Sequence, residues 1–232
     1  MEKNLKYWYL RDHKLFRNLS FSEIDALCIL NRFKKSPKNE IIDLPFSNEE
    51  RIYVLKKGTI KLIEIDEEGN ENIEELLQSG DIFGDLNFEH SKDNATYFKV
   101  VSDEAIICTF FRKNLEDVMI KKPDFAISYI KFIGFKFKKF KNSYKNIFFK
   151  DTKTRLILLL YTLIEGKLAQ NNTITIPNYL NQNDLAQLIC TTRQTIITLL
   201  KELKNEGILQ YSHNELQILD IKKIKEFAEN VK

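Results

Sequence analysis

The residues with the most distinctive chemistry form a short run near the C-terminus: Thr191, Thr192, Arg193, Gln194, Thr195, Ile197, Thr198 and Lys201. An arginine can donate two hydrogen bonds to one guanine, and a glutamine amide can pair with adenine in the same two-point way. Threonine hydroxyls beside a helix N-terminus suit a backbone phosphate oxygen, and Lys201 suits another. The branched side chain of Ile197 can either sit on a thymine methyl or pack against a neighbouring element. The chemistry implied is recognition of duplex DNA, and it requires these side chains to share one face of a helix.

The flanking sequence supplies such a helix. Asn181 can cap a first helix carrying Leu185, Ala186, Leu188 and Ile189. The chain breaks at Cys190-Thr191-Thr192, and Thr191 with Gln194 reads as a second capping box. The next helix has Ile196, Leu199, Leu200 and Leu203 for its buried face and the recognition set for the other, and Gly207 suits the left-handed residue that ends it. Segments 208–211 and 216–219 then bracket 212–215 as a hairpin with a small wing. This order is a winged helix-turn-helix, which sends the first turn of its second helix into the major groove. Residues 178–209 balance Asp184, Glu202 and Glu206 against Arg193, Lys201 and Lys204. Electrostatic attraction therefore has to come partly from elsewhere, with Lys153 and Arg155 as the nearest candidates.

Upstream, Ala126, Ile130, Ile133, Phe137, Phe140, Tyr144 and Ile147 recur at alternating intervals of four and three residues. That is the apolar seam of a heptad helix. A second copy of the same helix would bury it about a two-fold axis, and Phe132 and Phe135 offer a second face for the chain's own N-terminal part. Gly134 beside the seam would allow close helix approach. Lysines 131, 136, 138, 139, 141 and 145 lie off the seam, and residues 121–155 hold eleven Lys/Arg against two acids. Such a segment fits an anionic partner or, more plainly, a solvated helix face. Residues 148–152 read as a hinge, 154–169 as another helix broken by Gln170-Asn171-Asn172, and 173–177 as a short strand.

The N-terminal half is built differently. Ser20-Phe21-Ser22-Glu23 is a capping-box pattern before Ile24, Leu27, Cys28 and Leu30. Segments 52–55, 59–65, 73–77, 82–84, 95–101 and 105–111 are rich in β-formers and separated by turn residues, as in a sandwich, jelly roll or barrel. The expected architecture is α+β: a double-stranded β-helix (jelly-roll) domain over 1–122, a dimerisation helix and hinge over 123–150, and a winged helix-turn-helix over 151–232.

Bulk properties narrow the function. The longest apolar run, 156–164, is too short to span a bilayer, and residues 1–10 lack a signal-peptide core, so a cytoplasmic location and no membrane partner are expected. Cys28, Cys108 and Cys190 are scattered, which fits small buried hydrophobes rather than a disulfide framework. His13, His90 and His213 are isolated, so no metal site is expected. A cupin-like β-barrel enzyme, the main alternative in another class, would need a ligand cluster or acid–base pair that this pattern lacks.

With these pieces in order, the chain resembles the CRP/FNR family of bacterial regulators over nearly its whole length. The resemblance rests on 54–62, Glu68-Gly69 and 80–86 in the β part, and on 183–186, 192–196, 200–203 and 207–209 in the helix-turn-helix. It implies a sensor domain, homodimers on paired central helices, binding to palindromic promoter DNA, and RNA polymerase as a further partner. The implied effector pocket falls on Phe83, Gly84, Asp85, Leu86, Asn94, Ala95 and Thr96. Cyclic-AMP-binding members use a Gly-Glu pair for the ribose and an Arg-Ser pair for the cyclic phosphate. Here Gly84-Asp85 and Asn94-Ala95 stand at those places, so the phosphate would lack its guanidinium partner. An effector other than cyclic AMP is expected, with no assigned cofactor. Haem through His90 or Cys108 is the remaining cofactor reading, and a solvated loop histidine is the plainer one. A cyclic-nucleotide module acting on a protein partner is a further alternative, but it leaves the winged helix without a use. The family's helix-turn-helix glycine is Cys190 here, a departure that places an L-residue in a left-handed turn.

Overall fold

The computed structural model describes residues 10, 13–27, 34–42, 51–84, 96–169, 171–212 and 214–229. The chain divides into two compact units, Met1–Lys138 and Lys139–Lys232.

The first unit holds strands β1 (Lys34–Pro37), β2 (Ile41–Ile42), β3 (Arg51–Lys57), β4 (Thr59–Ile65), β5 (Glu71–Gln78), β6 (Ile82–Gly84), β7 (Thr96–Val100) and β8 (Glu104–Phe111). They form two four-stranded antiparallel sheets, β1-β8-β3-β6 and β2-β7-β4-β5. This is the expected jelly-roll arrangement. The turn from β3 to β4 needs glycine: Gly58 has φ +99°, and a Cβ there would lie 2.5 Å from the Glu104 carbonyl oxygen.

Strand alternation gives β3 two buried faces. Tyr53 and Leu55 point into the sandwich with Ile60, Leu77, Phe98, Val100 and Ile107. Phe83 lies between Tyr53 and Phe98 there, at ring-centroid distances of 5.2 and 4.8 Å. Ile52 and Val54 point the other way, with Cys108 and Phe110, into a cluster roofed by helices α1 (Phe21–Leu27), α2 (Arg112–Lys121) and the start of α3 (Pro123–Phe149). One half of the capping box expected for α1 forms: Glu23 accepts the Ser20 amide at 2.7 Å, while the Ser20 hydroxyl donates to the same carboxylate at 2.7 Å, and Glu23 also takes the Lys122 ammonium at 2.8 Å. Those bonds, the lysine's first, hold its carboxyl down to about 2.

Helix α3 lays Phe125, Tyr129 and Phe132 on this cluster. At 100° per residue the seam lies roughly 90° around the helix from that line, so both faces can be used at once. Phe135 is turned roughly 80° off the same line and is 57 % exposed; of the expected second face, Phe132 is the residue that packs on this cluster.

His13 pins this assembly. Its Nε2 donates to the Gly80 carbonyl at 2.8 Å, its Nδ1 accepts the Leu15 amide at 3.2 Å, and its ring lies 5.8 Å from that of Phe132. The next residue in the turn, Asp81, pairs with Lys136 of α3 at 3.1 Å. Burial lowers the imidazole pKa, against the opposing pull of the Gly80 bond and Asp81. A second proton on Nδ1 would also face the Leu15 N–H. Because the folded-state pKa is depressed, the unfolded chain protonates first. The stabilisation is complete above about pH 6.5 and is lost as pH falls below it. The thermal midpoint should therefore drop between pH 7 and 5.5 by a few degrees more in the native protein than in His13→Gln, about one hydrogen bond's worth. Parallel pH profiles for the two proteins would refute this.

The second unit contains α4 (Thr152–Ile164), β9 (Ile174–Pro177), α5 (Gln182–Leu188), α6 (Arg193–Asn205), β10 (Leu209–Tyr211), β11 (Glu215–Ile218) and α7 (Ile221–Glu229). The strands pair in the order β10-β11-β9. Within the segment read as a hinge, α3 ends at Phe149 and α4 starts at Thr152. The helix expected over 154–169 is shifted and shorter, because Asp151 caps it by accepting the Thr154 amide at 3.0 Å and Gly166 turns left-handed after its end (φ +77°). Helix α7 was not anticipated. Asn172, itself left-handed at φ +63°, accepts the Lys222 amide at 3.2 Å and helps start it. Ile221, Ile224 and Ala228 are the residues α7 buries.

Candidate nucleic-acid interface

Helix α5 begins with a complete capping box: Asn181 accepts the Asn183 and Asp184 amides, and Asp184 accepts the Asn181 amide at 2.8 Å. The chain leaves α5 through Cys190 at φ +53°, and the Thr191 amide is bonded back to the Ala186 carbonyl at 2.9 Å. Helical backbone therefore resumes later than the sequence pattern suggested. The cap of α6 is Thr192, whose Oγ1 accepts the Thr195 amide at 3.1 Å; Thr191 with Gln194 does not form the expected box.

This phasing puts Arg193 and Gln194 at the first two helical positions. Arg193, Gln194, Thr198 and Lys201 are exposed, Thr192 is exposed at the cap, and Thr191, Thr195 and Ile197 are half-buried. Ile196, Leu199, Leu200 and Leu203 are buried on the opposite side. The eight candidate residues thus run from Thr191, just before the cap, to Lys201 in the third turn of one helix. Three hydroxyls are occupied locally: Thr192 Oγ1 lies 2.9 Å from Thr195 Oγ1, and Thr198 Oγ1 donates to the Gln194 carbonyl at 3.2 Å.

The wing is held firmly. Asn178 Nδ2 donates to the Ser212 carbonyl at 2.7 Å, its amide bonds the Asn214 carbonyl at 2.8 Å, and the Tyr211 hydroxyl donates to the Leu180 carbonyl at 2.8 Å. Sequence reasoning passed over Asn178; its place after Pro177 and before a helix cap was the available signal. His213 lies outside the described residues.

Lys153 corrects another expectation. Its Nζ bonds Glu206 Oε1 at 2.6 Å and lies 3.9 Å from Glu202 Oε2. The Glu206 bond raises the lysine pKa and lowers that of Glu206. This ammonium is committed inside the domain, to Glu206 at the end of α6 and, more distantly, to Glu202 within it. Arg155 is half-buried, with Nη2 on Thr152 Oγ1 at 3.2 Å.

Cys190 is exposed, where burial was expected; Cys108 is buried, and Cys28 lies outside the described residues. A left-handed L-residue costs about 1 kcal/mol. Cys190→Gly should raise stability by up to about that amount, offset in part by the freer unfolded chain, while Cys190→Ala should not. Denaturant midpoints check it; equal midpoints for the two variants would refute it.

Of the expected effector pocket, Phe83 is a core ring at 6 % exposure, Gly84 has φ +112° with its Cβ position 2.5 Å from the Arg51 carbonyl oxygen, and Thr96 is exposed. Asp85, Leu86, Asn94 and Ala95 lie outside the described residues, as does His90. Cys108 faces the helix-covered side of its sheet. Among the described residues no group of three His, Cys, Asp or Glu side chains could hold a metal ion. Among the same residues no helix is long and apolar enough to cross a membrane.

On α3 the seam is uncovered in the single chain: Ile130 is 69 % exposed, Phe137 65 %, Phe140 67 % and Tyr144 55 %. Ile133 and Ile147 are exposed too, and Ala126 is half-buried.

Two family models match. The cyclic nucleotide-binding domain covers residues 34–122 and the Crp-like helix-turn-helix domain covers 154–227. The "Global nitrogen regulator" of Synechococcus elongatus is 20 % identical over 86 % of this chain and 91 % of its own length. The "Probable transcriptional regulator flp" of Lacticaseibacillus casei is 22 % identical over 92 % and 95 %. The solved structure of a cyclic nucleotide-binding domain containing protein from Listeria monocytogenes superposes with a TM-score of 0.68 at 20 % identity, covering 96 % of this chain and 99 % of the other. A jelly-roll domain of cyclic nucleotide-binding type followed by a Crp-like helix-turn-helix defines a DNA-binding transcription regulator. The chain belongs to the CRP/FNR family.

Proposed function

We propose that the chain works as a symmetric homodimer, paired along the α3 seam, that binds a palindromic promoter site with one α6 in each half-site and answers to an effector other than cyclic AMP. The observation that carries the reading is the outward face of α6, with Arg193 and Gln194 side by side on its first turn. In this reading Arg193, Gln194, Ile197 and Thr198 face base edges. Thr191, Thr192, Thr195 and Lys201 face phosphates. The uncovered seam supports the pairing, since a run of exposed apolar side chains along one helix line is a surface that association removes from water.

The effector reading rests on the sequence. Asn94-Ala95 supplies no guanidinium for a cyclic phosphate, and Asp85 and Asp93, close by in the sequence, are of the same sign as that phosphate. The protein is a cytoplasmic regulator with no catalytic role, and RNA polymerase is the partner through which it acts. Gel mobility shifts over a salt series test the reading. Binding should fall steeply with salt and favour inverted half-sites about one helical turn, roughly 34 Å, apart. Equal affinity for single half-sites and inverted pairs would overturn the symmetric-dimer reading.

A further inference from the structure

The outward face of α6 carries chemistry specific enough to name the bases it fits. Arg193 and Gln194 occupy the first two helical positions, where no preceding turn covers them and side chains reach deepest into a groove. One turn on, Ile197 and Thr198 are their neighbours at i+4. Thr198 spends its hydroxyl on the Gln194 carbonyl at 3.2 Å, so what it offers outward is its methyl group. No carboxylate joins this face: Glu202 and Glu206 are both drawn to Lys153. The face therefore holds a two-point guanidinium, a two-point amide and an apolar patch, and no acceptor-only group suited to a cytosine amine.

We infer that each half-site presents a guanine and an adenine on neighbouring base pairs, taken by Arg193 and Gln194, and thymine methyls about two base pairs further on, covered by Ile197 and Thr198. The spacing follows from one helical turn, about 5.4 Å, set against a base-pair rise of about 3.4 Å. The inference rests on the DNA-binding reading above and adds to it that Gln194 sets base identity at one position.

The test is selection of bound sequences from a randomised duplex library by the full-length protein, at about 50 mM salt, where phosphate attraction retains duplexes. The native protein should enrich inverted half-sites with adjacent guanine and adenine, at about tenfold or more over other bases at the Gln194 position. Gln194→Glu should move that preference from adenine to cytosine, since a carboxylate accepts from the cytosine amine. Thr198→Val, which keeps the methyl and removes the hydroxyl, should leave the selected site unchanged, while Thr198→Ser should weaken the thymine preference. If Gln194→Glu selects the same base as the native protein, or Thr198→Val erases the thymine preference, the half-site assignment is wrong. Native protein that retains duplexes in a salt-dependent way without selecting any sequence also overturns the assignment, while leaving DNA binding in place. Native protein that retains no duplex removes the DNA-binding reading and the half-site with it.

Discussion

Arg193→Ala should leave the protein folded and attracted to DNA, and should cost it most of its ability to tell its own site from random sequence. The side chain is exposed on the first turn of α6, and the cap of that helix is made by Thr192 and Thr195, so truncation opens no cavity and breaks no cap. What is lost is a two-point contact to guanine, about 1–3 kcal/mol of discrimination per half-site. Used twice in a symmetric dimer, that comes to roughly 30-fold or more in preference over competitor DNA. Competition shifts with specific and scrambled duplexes give the number, and a thermal melt confirms the fold. A variant that keeps the native sequence preference would show that Arg193 is not a base reader.

The second large effect concerns assembly. Ile133 and Phe137 sit mid-seam, at 40 % and 65 % exposure in the single chain. Replacing both with glutamate places four like charges at the centre of a two-fold interface, where each would be desolvated and unpaired. Sedimentation should find the native chain dimeric and the double variant monomeric at micromolar concentration. Affinity for an inverted-repeat duplex should fall with it, because the two recognition helices are no longer linked. The variant should still melt cooperatively, since Phe125, Tyr129 and Phe132 hold α3 to its own sheet from another face. A double variant that still sediments as a dimer would place the interface elsewhere.

Much of this was legible from residue order because local rules agreed with the tertiary outcome. The β4 strand expected over 59–65 and the β6 strand over 82–84 match the structure, since glycine turns bound each of them. Asn181 and Gly207 marked their helix ends for the same reason: one side chain or one backbone conformation decides the boundary. The cap of α6 was misplaced by one residue because Thr191 and Thr192 carry the same hydroxyl. The choice between them is made by the left-handed backbone of Cys190 and by the Ala186 carbonyl. The roles of Lys153 and His13 were hidden for a different reason. Their partners Glu206 and Gly80 lie 53 and 67 positions away along the chain, a distance over which charge and spacing carry no pairing information.

Helix α3 runs unbroken from Pro123 to Phe149, so whatever tilts its first turns reaches its own last turn as through a stiff lever. With 27 residues at about 1.5 Å each, the arm is about 40 Å long, and a tilt of only about 5° swings its far end by roughly 3.5 Å. That is close to the rise of a single base pair. A disturbance too slight to see in the packing around Phe125 would thus be magnified at Phe149 into a shift on the scale of one DNA step.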